Sequence, residues 1–312
     1  MNNNYHLLIS KRLNNIINNN YILLDLPYYG NVGDVLIWQS TLDLLKNIKY
    51  KCLYSASIET YKKPKIDKKI IIIFMGGGNF GDLWERHQLF RYKVMNDFPN
   101  NPLLQLPQSV WFENNDKLQY DINIFAKHKG SITICTRDEK SFNIIKENYQ
   151  NVNTLLLPDL ALCFNAIKYC SKHKIKIIKG EGALLLKRND KEAIPINPIE
   201  TNNAEDWPTL NQESIDNQIK LNKWLNILEK LHLGRFRQTI INWYYRKIVK
   251  DRIIIQAILF LLPYKTIYST RLHGGILAYL LHKETYLVDN SYHKNKGVYN
   301  LWLKDKNGIN MI

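Results

Sequence analysis

Short apolar runs that end in glycine or polar turns recur along the chain, and a stretch of helical period follows each one. Tyr21-Ile22-Leu23-Leu24-Asp25 reads as a buried strand, and Gly30-Asn31-Val32-Gly33-Asp34 turns the chain into a helix over 35–47. A helix over 5–20 precedes this unit. Ile70 to Met75 is apolar without a break, the pattern of a parallel strand buried on both faces. It stops at Gly76-Gly77-Gly78-Asn79-Phe80-Gly81-Asp82, before a helix over 83–95. Further strands are predicted over 103–107, 131–135 and 154–157. The second leads through Thr136-Arg137-Asp138 into a helix ending near Lys146, and the third ends at Pro158-Asp159.

The second half repeats the pattern less evenly. Residues 166–179 are Lys-rich and weakly patterned, which predicts a linker. A strand starts at Ala183, and a polar loop with Pro195, Pro198 and Pro208 follows it. Helices are predicted over 213–232 and 236–262, then a strand over 265–269, a helix over 274–282, a strand over 285–289 and a terminal helix after Lys294. Alternation of this kind defines an α/β protein with doubly wound parallel sheets. The expected organisation is two Rossmann-like domains, 1–165 and 180–312, facing a cleft. Ligands bind outside the carboxyl ends of such strands. The turns at 30–34, 76–82, 136–138, 158–159, 270–275 and 289–294 all fall there.

Length supports this division, since 312 residues are many for one core. The cysteines Cys52, Cys135, Cys163 and Cys170 are scattered without CxxC spacing, so they read as free thiols rather than a zinc site. The first residues lack the pattern of a signal peptide. No stretch reaches the ~18 uninterrupted apolar residues of a membrane span. These features predict a cytoplasmic protein or one peripheral to a membrane. The net charge of +15 invites nucleic acid, an anionic membrane or an anionic substrate as partner. No nucleic-acid module is recognisable, so nucleic acid is not expected. Residues 223–252 carry eight basic and two acidic residues among Trp224, Phe236, Trp243, Tyr244 and Tyr245. They read either as surface helices with half-buried aromatics or as an amphipathic face for an anionic bilayer.

The strongest chemical signal is Thr270-Arg271-Leu272-His273-Gly274-Gly275, placed between a strand and a helix. Arg271 offers a planar fork for a carboxylate or phosphate. Backbone amides at the helix start favour an anion, and His273 can move a proton near neutral pH. Asp34 reads as a helix cap or as a general base for a hydroxyl. Arg137 reads as a partner of Asp138 or Glu139, or as a further cation in the cleft. Asp159 would anchor the linker or order that arginine. His282 and His293 lack metal-ligand spacing with each other or with His273, so no metal site is expected.

Taken in order, Gly30-Asn31-Val32-Gly33-Asp34, Gly76 to Asp82, Thr136-Arg137-Asp138 with Ser141, Pro158-Asp159, Arg271-Leu272-His273-Gly274 and Asp289-Asn290-Ser291-Tyr292 with Lys294 resemble the polysaccharide pyruvyl transferase family. The resemblance runs from about residue 25 to 303, with little from 190–262. It implies the architecture of two-domain GT-B glycosyltransferases. It also implies transfer of pyruvate from phosphoenolpyruvate to two hydroxyls of one sugar, forming a cyclic ketal on a capsule, exopolysaccharide or cell-wall glycan precursor. Arg271, Leu272 and His273 would bind phosphoenolpyruvate, with Arg137 as an additional clamp and Asp34 as base. Asn31, Gly77, Gly78, Asn79, Asp159, Gly274, Ser291 and Lys294 would contact substrate. Phosphoenolpyruvate is the donor substrate, with no further cofactor. The acceptor is expected to be a lipid-linked saccharide at the inner face of the cytoplasmic membrane. The competing enzyme reading is a glycosyltransferase of the same fold using a nucleotide sugar, although no nucleotide-base or ribose signature is evident.

Overall fold

The computed structural model describes residues 3–189, 201, 203–208, 234–289 and 294–312. The fold is α/β, with two parallel sheets. The first has seven strands: β1 (Tyr21–Leu24), β2 (Cys52–Ala56), β3 (Ile71–Phe74), β4 (Gly77–Gly81), β5 (Leu103–Trp111), β6 (Ile132–Thr136) and β7 (Val152–Leu156). Their order is β2-β1-β3-β5-β6-β7, with β4 paired to β5 off this path. The second has five strands, in the order β12 (Ile309–Met311), β11 (Glu284–Leu287), β10 (Thr266–Ser269), β8 (Ala183–Leu186) and β9 (Asn203–Glu205). The layout is consistent with a Rossmann-like, GT-B-like arrangement.

The period-2 geometry of a strand explains why β1 and β3 are apolar throughout. Ile22, Leu24, Ile72 and Phe74 point into one apolar cluster, whereas Tyr21, Leu23, Ile71 and Ile73 point into another. Full burial of each such side chain contributes about 1.5–3 kcal/mol. The second cluster does not stop at the first sheet. It runs from Ile9 and Leu13 in α1 (Asn3–Ile16) through α2 (Val32–Leu45) to Leu184 and Leu186 of β8. From there it continues to Ile254 and Ile258 in α8 (Lys250–Leu261) and to Ile276 in α9 (Leu272–Leu280).

Several elements depart from the sequence expectation. The glycine turn at 76–82 contains β4, with Gly77 and Gly81 at φ +140° and +115°. Strand β5 continues past Pro107 to Trp111. Proline donates no ladder bond, and the register against β6 shifts between Gln105 and Gln108 to accommodate it. Helix α4 (Asn115–Lys127) follows an Asn114 cap whose side chain accepts from the backbone of Asp116 and Lys117. The expected linker contains α6 (Ala166–Lys172). The expected 236–262 helix is α7 (Gly234–Tyr244) and α8, joined by a π-helical turn at Tyr245–Val249. The helix expected over 213–232 lies outside the described residues.

Candidate active site

A cavity of about 630 Å³ opens at the carboxyl ends of strands from both sheets. Its walls come from the turns after β1, β6, β8, β9 and β10, from β4 and the segment that follows it, and from the start of α10 (Lys294–Val298). One end is cationic. Arg137 follows β6 and is fully buried. Its Nη1 donates to Asp159 Oδ2, and its Nε donates to Ser109 Oγ at 2.9 Å. Asp159 also accepts from the Ala161 amide at 2.7 Å, capping the 3-10 turn Leu160–Cys163. Burial alone would raise the Asp159 pKa, but Arg137 and His273 hold it well below the ordinary carboxylate range. Asp159 therefore orders the cavity arginine, and Arg137 pairs with it rather than with Asp138 or Glu139. Asp138 instead accepts from Ser109 Oγ and the Ser141 amide, capping α5 (Glu139–Asn148).

His273 lies in the first turn of α9, with Nε2 3.2 Å from Asp159 Oδ2 and 3.3 Å from Arg137 Nη1. Two glycines make room for this group. A Cβ on Gly33 would lie 2.1 Å from His273 Nδ1, and one on Gly78 would lie 2.9 Å from Arg137 Nη2 and 3.1 Å from Lys294 Nζ. Arg271 is the N-cap of α9, and its side face is engaged by Asp206 through Nε at 2.5 Å and Nη2 at 2.7 Å. Arg188, just beyond β8, and Lys294 complete the cationic wall, with Leu272 as an apolar neighbour.

The other end is built on carboxylates. Asn31 caps α2 and accepts from the Asp34 amide. Asp34 receives a hydrogen bond from Tyr29 Oη at 3.2 Å. Burial raises its pKa, opposed by His273 and His87. Asn79 Oδ1 accepts from Gln108 Nε2 and Arg91 Nη2. Arg91 is buried over the Phe80 ring and fixes Asn79 through its carbonyl as well. Beside Asn79, His87 Nδ1 stands 2.8 Å from Asp25 Oδ1.

Arg137, Arg271, Leu272, His273, Asn31, Asp34, Gly78, Asn79 and Lys294 therefore line one cavity. Gly77 sits behind the wall, where a Cβ would meet Asp34 Oδ1 at 3.1 Å. Gly274 packs against Leu186 and Ser269, where a Cβ would lie 2.2 and 2.7 Å from their side chains, and does not line the cavity. Ser291 lies outside the described residues. Sequence reading missed Asp25, Tyr29, His87, Arg188 and Trp207. Arg188 carried a signal, because it stands two residues beyond an apolar strand run. His87 sits in the first turn of α3 (Glu85–Asp97) and offers no local motif.

The described part of the basic segment, 234–252, packs one side against the first sheet. Gln238 and Asn242 donate to the Ser55 carbonyl, and Tyr245 stacks on Tyr28 at 4.1 Å. Lys250 is buried against Gln39 and Asp251. Phe236, Trp243, Arg246, Lys247 and Ile248 remain exposed. Among the described residues no helix is long and apolar enough to cross a membrane.

A parallel α/β scaffold whose strand ends hold this Arg-Leu-His segment agrees with the family comparison. The polysaccharide pyruvyl transferase model matches residues 31–292, and the chain belongs to that family; it is a transferase. EpsO of Bacillus subtilis (strain 168), a protein named for pyruvyl transfer, is 33% identical over 91% of this chain and 85% of its own length. Pyruvyl transferase 1 of Schizosaccharomyces pombe (strain 972 / ATCC 24843) is 32% identical over 46% of this chain and 38% of its own. Among solved structures, the functionally uncharacterized KP1_0663 from Klebsiella pneumoniae subsp. pneumoniae NTUH-K2044 superposes with a TM-score of 0.66 at 22% identity. That match covers 99% of this chain and 98% of the other, and shows the shared fold.

Proposed function

We propose that the protein transfers pyruvate from phosphoenolpyruvate to two hydroxyls of a saccharide, forming a ketal on a capsule, exopolysaccharide or cell-wall glycan precursor. The observation that carries this reading is the grouping of Arg137, Arg188, Arg271 and Lys294 around His273. Phosphoenolpyruvate presents a carboxylate and a phosphate, and such a wall neutralises both without a metal ion. The donor site would sit at the ends of β8 and β10 and the acceptor site at the ends of β1 and β3, as in two domains facing a cleft. His273 protonates the methylene carbon. Arg137 and Asp159 set the tilt of its ring, and Asp34, with its raised pKa, accepts a hydroxyl proton.

A ligand-induced melting comparison tests the donor. Phosphoenolpyruvate is expected to raise Tm, while UDP-sugars and oligonucleotides leave it unchanged. A shift with a UDP-sugar alone would favour the glycosyltransferase reading. Mass spectrometry of host glycans with and without the gene tests the product, since the ketal adds a defined mass and an acidic group.

We further infer a cytoplasmic enzyme resting on the inner membrane face. Phe236, Trp243 and Ile248 are exposed on the same segment as the exposed Arg246 and Lys247, a combination that suits the headgroup zone of an anionic bilayer and the lipid-linked acceptor it would carry.

A further inference from the structure

A ketal needs two hydroxyl oxygens bonded to one carbon, so two hydroxyl protons must leave the sugar. The site described above names a single proton acceptor, Asp34. Burial raises the pKa of Asp34, opposed by His273 and His87, and Gly77 backs the carboxylate. A second acceptor must serve the other hydroxyl unless Asp34 is reset between steps.

The cavity holds one further group with the required build. His87 lines the wall, with its side chain 13% exposed. Its Nδ1 lies 2.8 Å from Asp25 Oδ1 and 3.1 Å from Oδ2. Nδ1 thus faces both oxygens of the Asp25 carboxylate and, at 3.0 Å, the Asn79 amide nitrogen; two acceptor oxygens, the nearer at 2.8 Å, against one donor assign the proton to Nδ1. With Nδ1–H donating to Asp25, Nε2 is the ring nitrogen that carries the lone pair. Asp25 is 2% exposed and holds φ +65°, a left-handed backbone with no glycine. Asn79 Nδ2 stands 3.5 Å from Asp25 Oδ2, and its Oδ1 is held by Arg91 and Gln108. The Tyr29 ring meets His87 edge-on at 5.9 Å, and the Tyr29 hydroxyl bonds Asp34. Thus a buried carboxylate, a fixed imidazole, a tyrosine and the first proton acceptor lie in sequence along one wall. This is the geometry of a base held in one tautomer by a carboxylate.

We propose that His87, positioned by Asp25, is the second proton acceptor of the reaction, and this rests on the pyruvyl transfer reading. In the first step one hydroxyl oxygen bonds to C2 of the enolpyruvyl group as C3 gains a proton from His273. That hydroxyl proton passes to Asp34. In the second step the other hydroxyl oxygen bonds to C2 while the bond from C2 to the phosphate oxygen breaks. The bonding electrons leave with phosphate, and the second hydroxyl proton passes to His87 Nε2 and on to solvent or phosphate. Of the two protons released, one is balanced by the new C–H bond and one by protonated phosphate, with no oxidation or reduction.

The test uses labelled phosphoenolpyruvate with a glycan-precursor extract from cells lacking the gene, so that the natural acceptor is present. Wild-type protein that transfers no label would be a failure of the pyruvyl reading itself, seen before any variant is compared. With wild-type transfer established, His87→Ala is expected to lower turnover about 10²–10⁴-fold while leaving phosphoenolpyruvate affinity unchanged by calorimetry. Added imidazole should restore part of that turnover, which a packing role would not allow. His87→Asn keeps a polar partner for Asp25 and should show the same loss with an unchanged Tm. Asp25→Asn should lower kcat with little change in KM for the donor. Wild-type turnover in His87→Ala would overturn the proposal. So would a loss that imidazole does not restore, which would mark His87 as a contact or packing residue.

Discussion

Gly33 and His273 touch across the cavity wall: a Cβ at Gly33 would lie 2.1 Å from His273 Nδ1. The glycine is required by this close approach, since its backbone lies in the first turn of an ordinary helix. Gly33→Ala should push the imidazole away from Asp159 and Arg137. A displacement of about 1 Å costs roughly 10²-fold in rate. We expect that loss in kcat, with little change in Tm. Unchanged turnover would mean the ring moves without consequence.

Asp159→Asn should destabilise the protein by about 3–5 kcal/mol, because it leaves buried Arg137 without its countercharge. Wild-type Asp159 has a lowered pKa in the folded state. Its stabilisation is thus present above the unfolded value of 3.8 and is lost as pH falls below it. Acid melting curves of wild type and variant should therefore converge. Curves that stay parallel down to strongly acidic pH would contradict this assignment.

Asp34 has the opposite sign. Burial raises its pKa, so its ionisation opposes folding as pH rises from 3.8 through the folded value. Asp34→Asn should raise Tm at neutral pH and lower turnover. A lower Tm at neutral pH would show that the ionised carboxylate is a favourable partner in this site.

Arg271→Lys should raise the donor KM by roughly 10- to 100-fold, since a fork becomes a point charge that cannot replace charged hydrogen bonds of about 1.5–3 kcal/mol. Asp206→Ala should weaken donor binding in the same direction, because Asp206 fixes the side face of that guanidinium. Steady-state kinetics with phosphoenolpyruvate separates KM from kcat. Tighter binding in Asp206→Ala would show instead that Asp206 competes with the donor.

Reversing Arg246 and Lys247 to Glu should weaken sedimentation with anionic vesicles, each lysine or arginine contributing about 1 kcal/mol near such a surface. Neutral vesicles should bind weakly throughout, and salt should weaken anionic binding. Equal binding to both vesicle types would refute the membrane contact.

The strands of the first sheet were legible because residues such as Ile70 to Phe74 are apolar on both faces, and the Arg271–His273 segment because it joined a strand to a helix. Edge elements were not. Strand β2 is largely exposed, so Cys52 to Ala56 carries no apolar run. Strand β4 is hidden in glycines whose pairing depends on β5. Of the cationic half of the site, Arg137, Arg271, His273 and Lys294 announced themselves through motifs and Arg188 did not. The His87–Asp25 pair did not, because 62 residues separate two partners that only folding joins.

The apolar cluster that runs from α1 through α2 to β8 and α9 has a consequence for engineering. Because α2 is shared packing for both sheets, neither half is a portable module. Splicing the first-sheet half of one relative onto the second-sheet half of another would put a foreign surface under Val35, Ile37 and Trp38, and chimaeras should be recovered mainly as insoluble protein. New sugar specificity is better sought in the turns at the strand ends, where side chains can change without disturbing the shared interior.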